Sequence, residues 1–240
     1  MRPPSRHAWC AALPNRRLAR LPDRPAPKIS IVRASHPASE SDEVVCDHQS
    51  AGGPRVTQVR GTLLVSSLQT LRDAGHYERY LEQLAEPYRE QVLYAIALSW
   101  VPVEVAIAHY AACDALSLPD HELDNIGQLV AARLAETFLS SILQASRGAG
   151  IDAPWVALRS QARVWDRIYV GGGVKVWRAG PKDAVAEFYG LPLAQFHYFR
   201  VAYCSYYRGL ANMFVRSAHV KPIRAQKPRP DTLAIMGSWV

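Results

Sequence analysis

The sequence lacks the long apolar run that a membrane-spanning helix needs. No stretch approaches the roughly 20 apolar residues required to cross a bilayer. The uncharged stretch at residues 91–102 is too short and ends at Pro102, a helix breaker. With a mean hydropathy of -0.11 over 240 residues, the chain is not a polytopic membrane protein, and we expect one or at most two globular domains.

Cysteine is scarce and unpaired in its spacing. Cys10, Cys46, Cys113 and Cys204 form no CxxC motif. This spacing fits neither a zinc site nor the disulfide framework of a small secreted domain. Because no signal peptide is recognisable either, we expect reduced, buried cysteines in a cytoplasmic protein.

Motifs of catalysis and phosphate binding are also missing. There is no GxGxxG, GxSxG or HExxH. The triple glycine at residues 171–173 lacks the GK[ST] ending of a phosphate loop and leads into a predicted strand. The sequence therefore favours a non-enzymatic protein with no cofactor and no metal. A nucleophile and a base that meet only in the folded chain would leave no such motif, so an enzyme stays an open alternative.

Positive charge is confined to one end of the chain. The formal net charge is +7, and the first 36 residues hold eight of the 28 basic residues and one of the 21 acidic residues. The rest of the chain is neutral. Because binding to nucleic acid requires cations clustered on a folded face, we expect no nucleic-acid partner.

Residues 1–55 are predicted to form a disordered, basic, proline-rich arm. Eight of the 17 prolines lie there, and proline at this density removes backbone donors and interrupts helices. We interpret the arm as an inert linker or as the product of an upstream start assignment. A twin-arginine signal at Arg16 and Arg17 and an organelle transit peptide are weaker alternatives, because no apolar segment follows and the prolines prevent an amphipathic helix.

The first half of residues 56–240 shows helical periodicity. Apolar residues recur every three or four positions. An alanine-rich helix is expected to pack centrally, and the longest helix is expected to begin at Asp120 and to pass Phe138 and Ile142 before Gly148. The predicted helices lie at residues 63–71, 76–85, 88–99, 103–116, 120–148 and 153–169.

Strand patterns replace the helical period after Tyr169. Residues 174–178 alternate as a half-buried strand does, and residues 184–189 fit an antiparallel partner or a short helix. A long aromatic helix over residues 193–215 and closing strands at 215–223 and 232–240 follow. These elements predict a single α+β domain over residues 56–240, with an N-terminal helical half, a small antiparallel sheet and one long aromatic helix.

Two histidines are candidate ligand-binding residues. His109 lies among small residues of the alanine-rich helix, where a haem or metal ligand would fit, and His197 lies on the aromatic helix. A core histidine with satisfied hydrogen bonds is the simpler interpretation of His109. An enzyme of unrecognised type would bring either histidine beside Glu104, Asp114 or Glu187 in a cleft.

Aromatic residues form a stripe on the predicted aromatic helix. Core packing against the sheet explains this stripe. The alternative is an apolar pocket whose tyrosine hydroxyls orient a small ligand, with Phe199, Tyr203 and Tyr206 as candidate ligand-binding residues. Nucleic-acid binding through Arg200, Arg208 and Arg216 is least favoured, since acidic residues in the neighbouring hairpin would pair with Arg200 and Arg208, which share a helix face.

Several helix starts, breaks and turns form a recognisable series. They are the helix start at residues 59–64, the break at 100–102, the helix over 126–138, the segment 163–169, the Gly180-Pro181 turn and the strand ending at Trp239. The series resembles an uncharacterised family expanded in myxobacteria, which is similar in architecture to haem nitric-oxide/oxygen-binding domains and 4-vinyl-reductase-like domains. The resemblance spans residues 56–240 and implies an α+β sensor-type domain with a central cavity.

The sequence departs from both groups at their ligand motifs. The haem sensors carry a Tyr-x-Ser-x-Arg motif for the haem propionates, whereas here Arg208 stands one position too late after Tyr203 and Ser205. No cysteine follows Cys204, so the cysteine-bearing hairpin of the vinyl-reductase-like domains is absent. Neither haem nor a hairpin metal is therefore expected.

These observations favour a cytoplasmic, non-enzymatic sensory module without a membrane partner. We expect it to bind a small apolar ligand or a protein partner in a cavity between its helices and its sheet. The alternatives are a haem or gas sensor that uses His109 or His197, and a protein-interaction scaffold.

Overall fold

The structure is a computed structural model that describes residues 43–136, 140–141, 144, 148 and 150–240. Most of the predicted arm lies outside these residues, as do Phe138 and Ile142 of the predicted long helix. The described chain begins with one strand of an antiparallel sheet, continues through a mainly helical half, and then supplies the other strands of that sheet with one long aromatic helix between them. This arrangement confirms the predicted α+β class.

Up to residue 168 the described chain is mainly helical, with three short strands, and most of the strand residues follow. The helices are α1 Thr62–Asp73, α2 Tyr77–Gln83, α3 Glu86–Leu93, α4 Val103–Ala115, α5 Asp120–Glu136, α6 Ala153–Arg159, α7 Gln161–Ile168 and α8 His197–Ala211. The strands are β1 Val44–Gln49, β2 Gln58–Arg60, β3 Trp100–Pro102, β4 Tyr169–Val170, β5 Gly173–Gly180, β6 Asp183–Tyr189, β7 Ala218–Ile223 and β8 Leu233–Trp239.

The larger sheet has five antiparallel strands in the order β1-β5-β6-β8-β7. Strand β1 pairs with β5, with Cys46 opposite Val176 and His48 opposite Val174. The boundary predicted at residue 55 is therefore wrong, because the folded chain already includes residues 44–49. Turn-forming residues surround this short strand, and only its partner β5 supplies the backbone hydrogen bonds that make it a strand.

A second sheet of three short strands, in the order β3-β2-β4, was not expected. Trp100, Val101 and Pro102, predicted as a helix break, form the edge strand β3, with Val101 opposite Val59. Pro102 stands at the end of this edge strand, where a missing N–H is tolerated. Runs of two or three residues are too short for a period of two to be recognised.

The helix predicted over residues 153–169 is two helices, α6 and α7, separated at Ser160. The backbone of Ser160 lies at φ -82° and ψ 1°, and its hydroxyl donates to the Val156 carbonyl at 3.0 Å. A serine side chain that bonds the preceding turn competes with continuation of the helix. The break gives α7 its own buried face, which carries Val164, Trp165 and Ile168.

Helix α8 is shorter than the predicted 193–215, because a 3-10 turn at Pro192–Gln195 precedes it. It packs closely along α5 on one side and against β7 and β8 on the other. The close approach to α5 depends on Gly127, where a Cβ atom would lie 2.2 Å from the Ala202 carbonyl oxygen. Helix α8 thus stands between the helical half and the larger sheet.

Candidate functional site

Helix α8 presents aromatic side chains to two different spaces, one on each side of the helix. Tyr198, Tyr203 and Tyr206 face the helical half. Tyr207 and Leu210 face the larger sheet. Each side borders a cavity, and the two cavities share no lining residue.

The space on the sheet side, called here the sheet–helix cavity, has a volume of about 100 Å³. It lies between β6, β7 and β8 on one side and α6, α7 and the end of α8 on the other. Its apolar walls include Leu158, Val164, Leu210, Val220 and Ile235. A site that holds one water needs roughly 10–15 Å³, so this space has room for a small organic molecule.

Small side chains on the sheet keep the sheet–helix cavity open. One face of β6 carries Ala184, Ala186 and Phe188 in succession. Phe188 fills its end of the sheet by packing on Tyr203 and Tyr207, at ring distances of 5.2 and 5.3 Å. The two alanines reach less far, and Gly237 lies opposite Ala184 on β8. The space that branched side chains usually fill is therefore left free.

A polar group stands inside the otherwise apolar wall of the sheet–helix cavity. The Tyr207 hydroxyl donates to the Gln161 side-chain carbonyl at 2.9 Å, and both residues line the cavity. Burial raises the pKa of Tyr207, so its hydroxyl stays protonated. Such a site suits a ligand that is mainly apolar and is oriented by one hydrogen-bonding group.

The space on the helical side, called here the tyrosine cavity, has a volume of about 40 Å³. Residues of helices α1, α4, α5 and α8 and residues 168–169 line it. Five tyrosines line it, namely Tyr110, Tyr169, Tyr198, Tyr203 and Tyr206. The Phe199 ring stacks on the Tyr203 ring at 4.9 Å and meets the Tyr110 ring edge-on at 5.0 Å, so the wall is largely aromatic.

Three of the lining tyrosines, Tyr169, Tyr198 and Tyr206, have hydroxyls that are shielded from solvent and form no hydrogen bond of standard geometry with a described residue. The three residues are 1%, 2% and 5% exposed. Burial is the main cause that raises the pKa of each phenol. The hydroxyls are therefore neutral potential donors.

His109 is a fully buried, neutral core residue. Its Nδ1 lies 2.7 Å from the Tyr80 hydroxyl and its Nε2 lies 2.9 Å from the Ser67 hydroxyl. Burial lowers the pKa of His109 to about 3. Both ring nitrogens are thus engaged by protein groups, as the simpler interpretation of this histidine predicts.

His197 lies at the surface, where its Nε2 atom is 2.8 Å from a carboxylate oxygen of Asp120. Its side chain is about half exposed. Among the described residues, neither His109 nor His197 hydrogen-bonds to the carboxylates proposed for an unrecognised enzyme; Asp114 instead accepts from the Tyr198 backbone N–H at 2.7 Å. The folded chain therefore does not bring these groups together as an acid–base pair.

The arginines of α8 have local partners. Arg208 forms an ion pair with Asp124 of α5, which also accepts from the Ser205 hydroxyl. Burial alone would raise the pKa of Asp124, but the bonds from Ser205 and Arg208 outweigh it and lower that pKa. Arg200 donates to the Ala194 carbonyl. The expected partners in the hairpin were thus wrong, since the acid that holds Arg208 comes from α5.

Sequence reasoning recognised part of the two cavities and missed the rest. Phe199, Tyr203 and Tyr206 belong to the wall of the tyrosine cavity, whereas His109 and His197 line neither cavity. Tyr169 and Gln161 were missed because they come from other elements of the chain. The only available signal was the run of small residues at Ala184 and Ala186, which is unusual for a buried strand.

No helix in the described part of the chain is both long and apolar enough to cross a membrane.

The structure is similar in fold to H-NOX domains. One is an H-NOX protein from K. algicida in its Fe(II) unliganded form, with a TM-score of 0.48 and 10% identity over 75% of this chain and 96% of that one. Another is a point mutant of the T. tengcongensis H-NOX, with a TM-score of 0.46 and 12% identity over 75% and 97%. No protein-family model and no curated protein sequence matches the chain, so the myxobacterial resemblance stays a prediction.

Proposed function

We propose that this domain is a non-enzymatic sensory module that binds a small, mainly apolar molecule in the sheet–helix cavity. The observation that carries the proposal is the cavity of about 100 Å³ between the sheet and helices α6, α7 and α8. Clefts lined mainly by apolar side chains with a few polar groups are typical binding sites for small molecules. A ligand that removes this apolar surface from water gains free energy in proportion to the area covered.

The lining also defines the chemical class of the ligand. Among the described residues, no charged side chain lines the sheet–helix cavity. A charged ligand would lose its hydration without gaining an ion pair, which strongly opposes binding. A neutral molecule needs no ion pair, and a single hydrogen-bonding group placed near Gln161 and Tyr207 matches the polar part of an otherwise apolar wall.

Haem is the second candidate ligand, because haem is named for a structure with a similar fold. The residues described here do not fit it. Neither cavity is lined by a described histidine or cysteine, both ring nitrogens of His109 are engaged, and His197 is at the surface. A porphyrin is also several times larger than either space. The haem and gas-sensor alternative, like the scaffold alternative, stays a prediction.

Benzene is a suitable probe for the proposed site, since an engineered apolar cavity of about 150 Å³ binds it. We expect benzene to shift the NMR signals of the methyl groups of Leu158, Leu210 and Ile235 in the full chain. Methyl groups that line the tyrosine cavity serve as the internal comparison. Shifts spread over both sets, or absent from the first, would contradict the proposal.

Gly237→Leu tests the site by filling it. A Cβ atom at Gly237 would meet only Val220 Cγ2, at 3.8 Å, so we expect the protein to fold and benzene binding to be lost. Met236→Leu is the matched control, because Met236 lies next to Gly237 on β8 with its side chain on the opposite face of the sheet. Equal benzene affinity in the two variants would overturn the site.

A Soret band separates the haem candidate from the main proposal. We expect no band after the purified protein is incubated with haem and passed through a desalting column. A stoichiometric band would replace the apolar-ligand proposal with a haem sensor. A band that His109→Leu or His197→Ala abolished would identify the axial ligand.

A further inference from the structure

The side-chain amide of Gln161 is a polar group that can meet a ligand in the sheet–helix cavity. Gln161 is the first residue of α7, lines the cavity and is 8% exposed. Ser238 and Trp239 also line it, but they stand at the end of β8, where Ser238 lies opposite Asp183. A glutamine amide has an acceptor oxygen and a nitrogen with two donor protons. The atom that faces the cavity therefore decides which ligands the site prefers.

Tyr207 fixes the orientation of this amide. Its hydroxyl donates to Gln161 Oε1 at 2.9 Å. Its oxygen in turn accepts a hydrogen bond from Tyr203, one turn earlier on α8. Burial is the main cause that raises the pKa of both phenols, and this bond raises the pKa of Tyr203 further while it lowers that of Tyr207. These opposite directions mark Tyr203 as the donor of the bond and Tyr207 as its acceptor.

The reverse orientation of the Gln161 amide would leave a buried donor unsatisfied. The Tyr207 hydroxyl has a single proton, and Gln161 Oε1 is its acceptor among the described residues. If Gln161 Nε2 faced Tyr207 instead, that proton would lose its acceptor. Buried polar groups without partners are rare in proteins. The amide oxygen therefore faces Tyr207, and the amide nitrogen faces away from it.

The nitrogen of this amide is left available to a ligand. No described residue accepts a hydrogen bond from Gln161 Nε2. The nitrogen keeps some solvent-accessible surface, unlike the shielded hydroxyls on the helical side of α8. Because the rest of Gln161 is buried and the residue lines the sheet–helix cavity, the accessible side of this nitrogen is the cavity side. Gln161 Nε2 is thus a donor that a ligand can satisfy.

We propose that the sheet–helix cavity prefers mainly apolar molecules that carry a hydrogen-bond acceptor, such as a ketone or an ester, and that Gln161 Nε2 donates to this acceptor. This role of Gln161 rests on the proposed function and narrows its class of ligand. A carbonyl oxygen has lone pairs and no proton, so it complements a donor. A molecule whose only polar group is an N–H finds no partner at this nitrogen. Tyr207 is a positioning residue, since Gln161 engages its proton.

Three probes of five heavy atoms, each smaller than benzene, test this preference. Cyclobutanone carries an acceptor, methylenecyclobutane carries neither an acceptor nor a donor, and pyrrole carries a donor. The methyl NMR shifts of Leu158, Leu210 and Ile235 in the full chain give each dissociation constant. Because a ketone loses more hydration than an alkene on binding, the measured quantity is the ratio of the two constants, compared between proteins.

Gln161→Met keeps the length of the side chain and removes the donor. We expect it to weaken cyclobutanone binding about two- to tenfold relative to methylenecyclobutane, the effect of one hydrogen bond. Gln69→Met is the matched control, because Gln69 lines neither cavity and its Nε2 donates to Asp73 at 2.8 Å. An unchanged ratio in Gln161→Met, or a loss of pyrrole binding in place of cyclobutanone binding, would overturn the proposal.

Tyr207→Phe tests the positioning role. Without the Tyr207 hydroxyl the amide can turn and present its oxygen to the cavity, so pyrrole should gain affinity relative to cyclobutanone. A change in packing alone would shift the affinities of all three probes together. A wild-type ratio of pyrrole to cyclobutanone affinity in Tyr207→Phe would show that Tyr207 does not hold the amide.

Benzene separates the role of Gln161 from the proposed function. Benzene has no strong acceptor, so we expect Gln161→Met to bind it with nearly the affinity of the wild type. If benzene fails to bind the wild type, the proposed function is wrong. If benzene binds both proteins and the ratio of cyclobutanone to methylenecyclobutane is unchanged, the cavity is a ligand site in which Gln161 does not select the ligand.

Discussion

The two sides of helix α8 are packed by side chains of different size and polarity. On the sheet side, alanines and a glycine leave an apolar space next to the tightly packed Phe188. On the helical side, large tyrosines fill most of the volume but bury hydroxyls that lack partners. The side chains on the sheet side are too small to fill their space, whereas the phenol hydroxyls on the helical side have few hydrogen bonds. The comparison shows that one helix can border two spaces whose walls differ in chemistry.

Of the substitutions considered, Phe188→Ala should lower the free energy of unfolding most. It replaces the large side chain at the filled end of β6 with the small one found at Ala184 and Ala186. Phe188 is fully buried and its ring lies 6.0 Å from Trp165. Phenylalanine-to-alanine substitutions in cores lower the free energy of unfolding by about 3–5 kcal/mol. Urea unfolding measures this, with Phe188→Leu as the milder control. A loss below about 1 kcal/mol would mean that the filled end is not tightly packed.

His109→Leu probes the helical side. It leaves the Tyr80 and Ser67 hydroxyls without their partner, and each unsatisfied group costs about 1–3 kcal/mol. The folded pKa of His109, about 3, lies below its unfolded value of 6.5. Between these values the unfolded chain binds an extra proton, so the stability of the wild type falls as the pH drops.

The pH dependence distinguishes this titration from a simple packing defect. The destabilisation by His109→Leu should shrink by about 2 kcal/mol between pH 7 and pH 5, since the wild type alone loses roughly 1.4 kcal/mol per pH unit below pH 6.5. Urea unfolding at both pH values measures this. An unchanged difference would show that His109 titrates normally in the folded protein.

Asp124→Asn should have a smaller effect that is confined to the helical side. The substitution removes the charge that holds Arg208 and weakens the contact between α5 and α8. We expect the free energy of unfolding to fall by about 1–2 kcal/mol. Benzene binding in the sheet–helix cavity should not change, which methyl NMR would verify. A matching loss of benzene affinity would indicate that the two sides are coupled.

His197→Ala should have the smallest effect. The ion pair with Asp120 is exposed, and exposed pairs contribute less than about 1 kcal/mol. We expect an unfolding midpoint within error of the wild type and unchanged binding of benzene. A clear loss of binding would place His197 in a site that the structure does not show.

Much of the fold could be predicted because long elements carry their own periodic signal. The limits of the alanine-rich helix were predicted within one residue, and strand β5 was expected from its alternation, whereas β6 was predicted as either its antiparallel partner or a short helix. The short strands β1 to β4 were missed, because two to six residues carry little period and become strands only when a partner bonds their backbone. The break at Ser160 was missed for a similar reason, since the apolar period continues through it.

The candidate site residues were likewise predictable only where a single element carried a periodic pattern. The aromatic stripe of α8 was visible as a pattern, and it correctly singled out buried residues such as Phe199 and Tyr203. Its spacing could not tell which ring faces which neighbour. Tyr206 and Tyr207 are adjacent in the chain, yet they line different cavities. Adjacent helical residues point about 100° apart, so only the partners on each side decide their roles.

The sequence by itself determined the class of fold, the neutral body of the chain and the presence of an aromatic helix, because composition and periodicity are local properties. Only the tertiary structure decided where space remains and which polar groups lack partners. Both depend on residues distant in the chain: Ala186 with Leu210 on one side of α8, and Tyr169 with Tyr206 on the other. Cavities and unmet hydrogen bonds arise only when separate elements pack together, and for that reason no local pattern encodes them.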